Sequence, residues 1–310
     1  MYILTRIIIP ALLALMLVAC DSSDDPAQET ESAAAPEAGI DVAKWQQQGR
    51  DDFDKAASDW QAALAGLEQS PGDAQLKTLR ESLAGWYQAF TMQALLLNAR
   101  ACQLDQHATL SRMDTWPLYP GYIDAMPEWP ESGLISDPYL EMDGKTLRLQ
   151  HGATDEAEAS LGFAAMFVVL NGTGDTAKAL SFFQGEENQA ARRLSYLKLA
   201  GEQIIRDYRV LMSEAPLSDS DLDCALSKML REHQKLKESA DNENELVIPA
   251  TVRQTLGNNL LVSLQNVPES VVQAWNDARP GILDTLAASK KDGWQVIEAW
   301  QEGDRSTPEA

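Results

Sequence analysis

With 310 residues, 47 acidic side chains against 25 basic ones and a net charge of −22, the chain is both long and strongly acidic. A field of that sign repels a phosphate backbone, which excludes nucleic acid as a partner; it favours cations or basic proteins, or serves solubility alone. The length supplies a large core by itself, so no disulfide framework is needed for size.

One basic residue, Arg6, precedes an apolar run from Ile7 to Val18. That run is too short to span a bilayer and fits the apolar core of a secretory signal peptide. It ends in Leu17-Val18-Ala19-Cys20, which resembles the bacterial lipobox, where small residues fit the signal peptidase and the cysteine thiol takes a diacylglycerol. Residues 1–19 are therefore expected to be a lipoprotein signal peptide, with Cys20 as the lipidated N-terminus and the membrane as its partner. Its removal takes away Arg6 and no acid, leaving 47 acids against 24 bases, a net of −23. Asp21 after the cysteine resembles the inner-membrane retention signal of enteric bacteria, a rule that varies among bacteria, so inner and outer membrane both stay open.

Within residues 20–40, the stretch from Asp21 to Gly39 is mostly Asp, Ser, Glu, Ala, Pro and Gly, with almost nothing large and apolar. Such a stretch buries too little surface to offset its ordering entropy and reads as an acidic tether. As a random coil of about twenty residues it reaches roughly 25 Å from the bilayer.

Helical period dominates from Val42 onward. Phe53, Ala57, Trp60, Leu64 and Leu67 step by fours and threes, as do Leu76, Leu79, Leu83, Trp86 and Phe90. Two long amphipathic helices follow, separated at Ser70-Pro71-Gly72-Asp73, the second running to about Leu104. From Trp116-Pro117 through Pro120, Pro127, Trp129-Pro130 and Pro138, the prolines forbid a continuous helix to about residue 140. A loop of that length in a compact domain is usually functional or a packed lid. Thr154, followed by Asp155, Glu156 and Glu158, predicts a helix start that continues to Leu170, before Asn171-Gly172, and is buried on all sides from Leu161.

Leu194, Leu197, Gly201, Ile204, Tyr208 and Leu211 mark a third long helix, and Leu222, Leu226, Met229, His233 and Leu236 a fourth. Helices are also expected over Val252–Leu264 and Val271–Leu286, the latter kinked or broken at Pro280-Gly281, and at the close, with Trp294, Ile297 and Trp300. Strand alternation and glycine-rich phosphate loops are absent from the pattern. The expected fold is all-α, of antiparallel helices in two packed bundles, roughly 41–175 and 176–303.

If Cys20 is acylated, Cys102 and Cys224 remain, an even pair that could form one long-range disulfide in an oxidising compartment. Helical spacing does not show whether they meet.

The order of several motifs between Trp86 and Tyr208 carries a resemblance. Trp86 is followed by Asp114-Thr115-Trp116-Pro117 and Ile123-Asp124, then by Gly162-Phe163-Ala164-Ala165-Met166-Phe167-Val168-Val169-Leu170-Asn171-Gly172, then by Ala191-Arg192-Arg193-Leu194-Ser195-Tyr196-Leu197. This middle 40% or so of the chain resembles the imelysin family, which includes iron-regulated protein A and peptidase-annotated envelope proteins. The resemblance implies an all-helical fold of two bundles, an envelope location and an iron-linked or haem-linked context. The family's central helix reads Gly-Phe-His-x-x-Glu, whose imidazole and carboxylate share a metal. In this chain those positions are Ala164 and Phe167, which neither ligate a cation nor move a proton.

Other candidates are sparse. His151 lies near Glu156 and Glu158, a set able in principle to replace lost metal ligands, though acids at a helix start are explained more simply by the dipole. His233 falls on an apolar seam and His107 has no evident partner in sequence. Trp116 and Trp129, in the loop, are candidate ligand contacts, whereas Trp60 and Trp86 sit at core positions. Asp114 and Asp124 could act as paired carboxylates or simply cap turns. No nucleophilic triad has motif support. The leading expectation is a non-catalytic, imelysin-like envelope lipoprotein that binds a ligand or an envelope protein partner, with a link to iron or haem uptake implied by the resemblance; no cofactor is assigned and a bound metal is not expected. The rivals are a metal-dependent peptidase with relocated ligands and a lipid-anchored scaffold for another envelope protein.

Overall fold

A computed structural model describes residues 42–229, apart from 116–117, 173–176, 186–188, 213, 219, 223 and 226–227. The signal peptide, the tether, Cys20, Trp116, Leu226, the fourth helix beyond Met229 with His233, and the three expected helical segments after it lie outside the described residues. Those described are all-α and contain no sheet, Met126 and Trp129 forming an isolated bridge. None of their helices is long and apolar enough to cross a membrane.

The first helix, α1 (Ala43–Gln69), buries the predicted stripe from Phe53 to Leu67 and continues it upstream through Gln46 and Gly49. Its opposite face carries polar pairs one turn apart, such as Gln47 with Asp51 at 2.8 Å and Lys55 with Asp59 at 2.5 Å. Ser70 and Pro71 end it, and α2 (Asp73–Thr91) returns against it. Gly49 faces Gln93 and Phe53 faces Trp86, so the pair is antiparallel.

The second helix does not run unbroken to Leu104 as the pattern predicts. It stops at Thr91, and a separate helix, α3 (Ala94–Leu104), begins after Met92 and Gln93. The Gln93 amide donates through Nε2 to the Gly49 carbonyl at 2.8 Å and to the Ala89 carbonyl at 2.9 Å. Its Oε1 accepts the Tyr208 hydroxyl at 2.7 Å. Tertiary bonds to two other helices hold the break, and they leave no trace in local periodicity.

The proline-rich region contains two short helices, α4 (His107–Met113) and α5 (Pro120–Ile123), the latter with proline at its first position, where no amide is needed. Residues 124–143 are irregular and lead into α6 (Gly144–Gln150), capped by the Asp143 carboxylate on the Thr146 amide at 2.7 Å.

The predicted helix start at Thr154 is not observed; α7 spans Phe163–Asn171. Thr154 and the acids after it close on themselves instead. Glu158 accepts the Thr154 amide at 3.0 Å and hydroxyl at 2.7 Å, and Asp155 accepts the Ala157 amide at 2.8 Å. A capping pattern and an acidic turn share the same residues, and here the turn wins because Gly162, at φ +98°, interrupts any continuation into α7.

Every side chain of α7 from Phe163 to Leu170 is buried, as expected. Phe163 meets Trp86, Tyr87 and Phe90 at centroid distances of 5.0, 5.3 and 5.1 Å. A 3-10 turn (Leu180–Phe183) precedes α8 (Ala190–Leu211). Tyr208 of α8 stacks on Phe53 at 3.6 Å, and Gly201 lies against the Trp60 ring, so α8 runs antiparallel to α1. A Cβ at position 201 would collide with that ring, which explains the glycine. α1, α2, α7 and α8 share one apolar core; residues 230–303 of the second expected bundle lie outside the described residues.

Trp60 and Trp86 are core residues, 1% and 0% exposed, with ring centroids 5.1 Å apart. Neither indole nitrogen has a hydrogen-bond partner. Each orphan costs about 1–3 kcal/mol, which the roughly 150–250 Å² of aromatic surface buried per ring offsets.

Cys102 and Cys224, whose sequence pairing was open, form a disulfide across 122 residues, with Cα atoms 6.3 Å apart. Beside it, buried Arg100 joins α1 to the segment after α8, donating to Gln46 Oε1 at 2.5 Å and to the Ala215 carbonyl.

Candidate functional site

The entry of α7 fixes the geometry of the centre. Gly162 sits so close to the end of α4 that a Cβ would come within 2.7 Å of the carbonyl oxygens of Arg112 and Met113. This contact places Ala164 and Phe167, the positions of the His-x-x-Glu pair in the resemblance, inside apolar surroundings. Ala164 is wholly buried with Leu118, Ala159 and Val168. Phe167 meets Tyr87 edge-on at 5.4 Å, and the Tyr87 hydroxyl donates to Asp114 Oδ2 at 3.1 Å. A methyl and a phenyl group present no lone pair, so a metal held by that motif does not fit this helix.

Polar chemistry is concentrated instead in two clusters anchored on α8. In the first, Asp124 pairs with Arg193 through both oxygens, at 2.7 and 2.8 Å, and with Lys178. Asp124 Oδ1 also accepts the Ala125 amide at 2.8 Å, the local cap anticipated for an aspartate in this loop. The Asp124 and Arg193 side chains are 1% and 2% exposed. The Phe182 ring lies under both cations, 5.2 Å from the Arg193 guanidinium and 5.9 Å from Lys178 Nζ. Burial pushes the Asp124 carboxyl up, but Arg193 and Lys178 outweigh it and hold the carboxyl below its ordinary range. Burial pulls the Lys178 ammonium down against the opposing pull of Asp124.

In the second cluster, Asp207 accepts from Arg148 Nη2 at 2.5 Å and from Arg112 Nε at 3.2 Å. Arg148 Nε also donates to Gln203 Oε1 at 2.6 Å. His151 adjoins this cluster. Its Nδ1 accepts the Leu161 amide at 3.3 Å, which assigns the remaining proton to Nε2, 3.3 Å from the Thr115 hydroxyl. That hydroxyl sends its own proton to the Ser111 carbonyl at 2.6 Å, so it is free to accept.

Burial, then Arg112, lowers the His151 pKa to about 4, with Asp207 opposing and Arg148 adding to the fall. The unfolded chain therefore binds a proton between about pH 6.5 and about pH 4 that the folded chain refuses. Stability contributed by neutral His151 is fully present above pH 6.5 and falls as the pH drops towards 4, by up to about 3 kcal/mol. Urea unfolding of the parent and of His151→Phe at pH 4.5 and 7 should show the parent losing more stability between the two; equal losses would refute the assignment.

These bonds decide where the sequence candidates stand. Both ring nitrogens of His151 are engaged, Glu158 is turned onto Thr154, and Glu156 is exposed. The three are not gathered into a metal-binding group among the described residues. Asp114 and Asp124 serve different partners, Tyr87 and Arg193. Trp129 is 66% exposed on the loop surface, available for contact, and Tyr139 on the same loop is 95% exposed.

Arg192, named in the sequence only as part of the 191–197 motif and given no role there, braces that loop. Arg192 Nε donates to the Ile135 carbonyl at 2.6 Å, and its Nη2 reaches the carbonyls of Leu134, Asp137 and Leu140 at 3.2, 2.8 and 3.2 Å. The signal for Arg193 and Asp207 was present: both fall on the apolar stripe of α8 with Tyr196, Leu197, Ala200, Ile204 and Tyr208. A charge on such a stripe must be paired. Compared with known proteins, the chain matches no family model and no curated protein.

Proposed function

We propose that this chain is a lipid-anchored, imelysin-like protein of the bacterial cell envelope that binds a ligand or an envelope protein and catalyses no metal-dependent reaction at its central helix. The observation that carries the reading is the burial of Ala164 and Phe167, 0% and 7% exposed, where the resemblance calls for a histidine and a glutamate. The loop from Asp124 to Asp143 supports a binding role. Trp129 and Tyr139 face solvent while Arg192 fixes the loop backbone from Leu134 to Leu140, which follows Trp129 and contains Tyr139, and a braced loop lowers the ordering cost of a contact. An iron-linked or haem-linked context follows from the resemblance alone. The relocated-ligand peptidase finds no favouring geometry, since His151, Glu156 and Glu158 are occupied or apart.

Two readouts test the proposal. Cells expressing the chain and fed a labelled fatty acid should label the parent and not Cys20→Ser; label on the variant would remove the anchor. In native membranes, site-specific photo-crosslinking from position 129 should trap one stoichiometric partner, and crosslinking no greater than from exposed Lys77 on α2 would count against a binding role.

A further inference from the structure

The disulfide has a third group beside it. α3 ends with Asp105 in the left-handed region, at φ +52°, and α4 begins two residues later at His107. The Gln106 amide donates back to the Ala101 carbonyl at 2.8 Å, so the turn is closed and His107 is brought back over the end of α3. As a result the ligand atoms of Cys102, His107 and Cys224 all lie within 4.8 Å of one another, each residue partly buried and partly open to solvent. Among the described residues this is where three metal-ligand side chains converge.

Two thiolates and an imidazole form a donor set suited to a borderline-soft cation, with a fourth position left for water or an exogenous ligand. A cysteine Cα separation of 6.3 Å lies within the disulfide range. Zinc bonds of about 2.3 Å at tetrahedral angles need sulfurs about 3.8 Å apart, a separation reached by side-chain rotation once the sulfur–sulfur bond is open. Residues from α3, the start of α4 and the segment after α8 would then be joined by the metal instead of by the covalent bond.

We propose that Cys102, Cys224 and His107 form a zinc site that exists when the Cys102–Cys224 disulfide is reduced, so that disulfide and metal are alternative cross-links at one place. A dithiol reductant supplies two electrons and two protons and becomes a disulfide itself, while Cys102 and Cys224 become thiols. Zinc then displaces one proton from each thiol, and neutral His107 contributes a nitrogen lone pair. The site is separate from α7 and does not depend on the binding role proposed above.

The full chain carrying Cys20→Ser, which removes the third thiol, is the material for the test. Solubilised in detergent, it is reduced with a phosphine, freed of reductant without air and titrated with zinc against a chromophoric chelator. One equivalent should bind, whereas the oxidised chain should take none at this place. Cobalt in place of zinc should give a thiolate-to-metal charge-transfer band in the reduced chain, absent from Cys224→Ser. His107→Ala should weaken binding by at least about 100-fold, because even an outer-shell partner is worth roughly 10–100-fold. Its oxidised form should melt as the oxidised parent does, which separates lost ligation from lost folding. Absence of the cobalt band in the reduced chain overturns the site, and unchanged affinity in a folded His107→Ala overturns the role of the histidine.

Discussion

Asp124→Ala should destabilise the fold by about 3–5 kcal/mol, because it leaves Arg193 and Lys178 buried without their shared counter-charge. The penalty is that of the stranded cations more than the value of the pair itself. Adding Lys178→Met should therefore restore part of the loss, since one of the two stranded charges is then gone. Urea unfolding of the parent, the single variant and the double variant measures both effects. A single-variant loss under about 1 kcal/mol, the size of an exposed pair, would show that water reaches the cluster.

Gly162→Ala should cost about 3–5 kcal/mol from two independent sources. Its φ of +98° belongs to a region that side chains rarely adopt, and its Cβ would strike the backbone at Arg112 and Met113, which cannot rotate aside. Gly185→Ala provides the comparison. That residue also has positive φ, at +80°, but nothing lies within 4 Å of its Cβ position, so it carries the conformational penalty alone, about 1–3 kcal/mol. Equal losses at the two positions in thermal or urea unfolding would mean that α4 and α7 can separate freely.

The parts of this fold legible in sequence are those where one physical force acts along one helix. The stripes of α1, α2 and α8 are repeated burial against neighbours, and the all-apolar run of α7 leaves no face for water, so Trp60, Trp86 and Tyr208 fall where their period puts them. The errors occur where a distant group decides. The break at Gln93 depends on Gly49 and Tyr208, 44 and 115 residues away. At Thr154 the local signal was real but ambiguous, and the backbone conformation of Gly162 resolved it in favour of a turn. The ion-pair clusters join α8 to residues from the loop and from α4 and α6, so pairing could be demanded from sequence for Arg193 and Asp207, but partners could not be named.

The same distinction applies to the site. That positions 164 and 167 bear no ligand is written in the residue types; that His151, Glu158 and Asp124, among the described residues, are committed to other partners required the bonds themselves. The meeting of Cys102 with Cys224 is wholly tertiary, and His107 joins them through the turn between α3 and α4.

Metal analysis of the purified full chain, with its disulfide intact and no reductant, before and after equilibration with iron(II) and zinc, is the most direct test that the central helix carries no metal chemistry. The account predicts no stoichiometric metal and the same result for His151→Ala. One equivalent of tightly held metal in the oxidised chain, lost in His151→Ala, would contradict it.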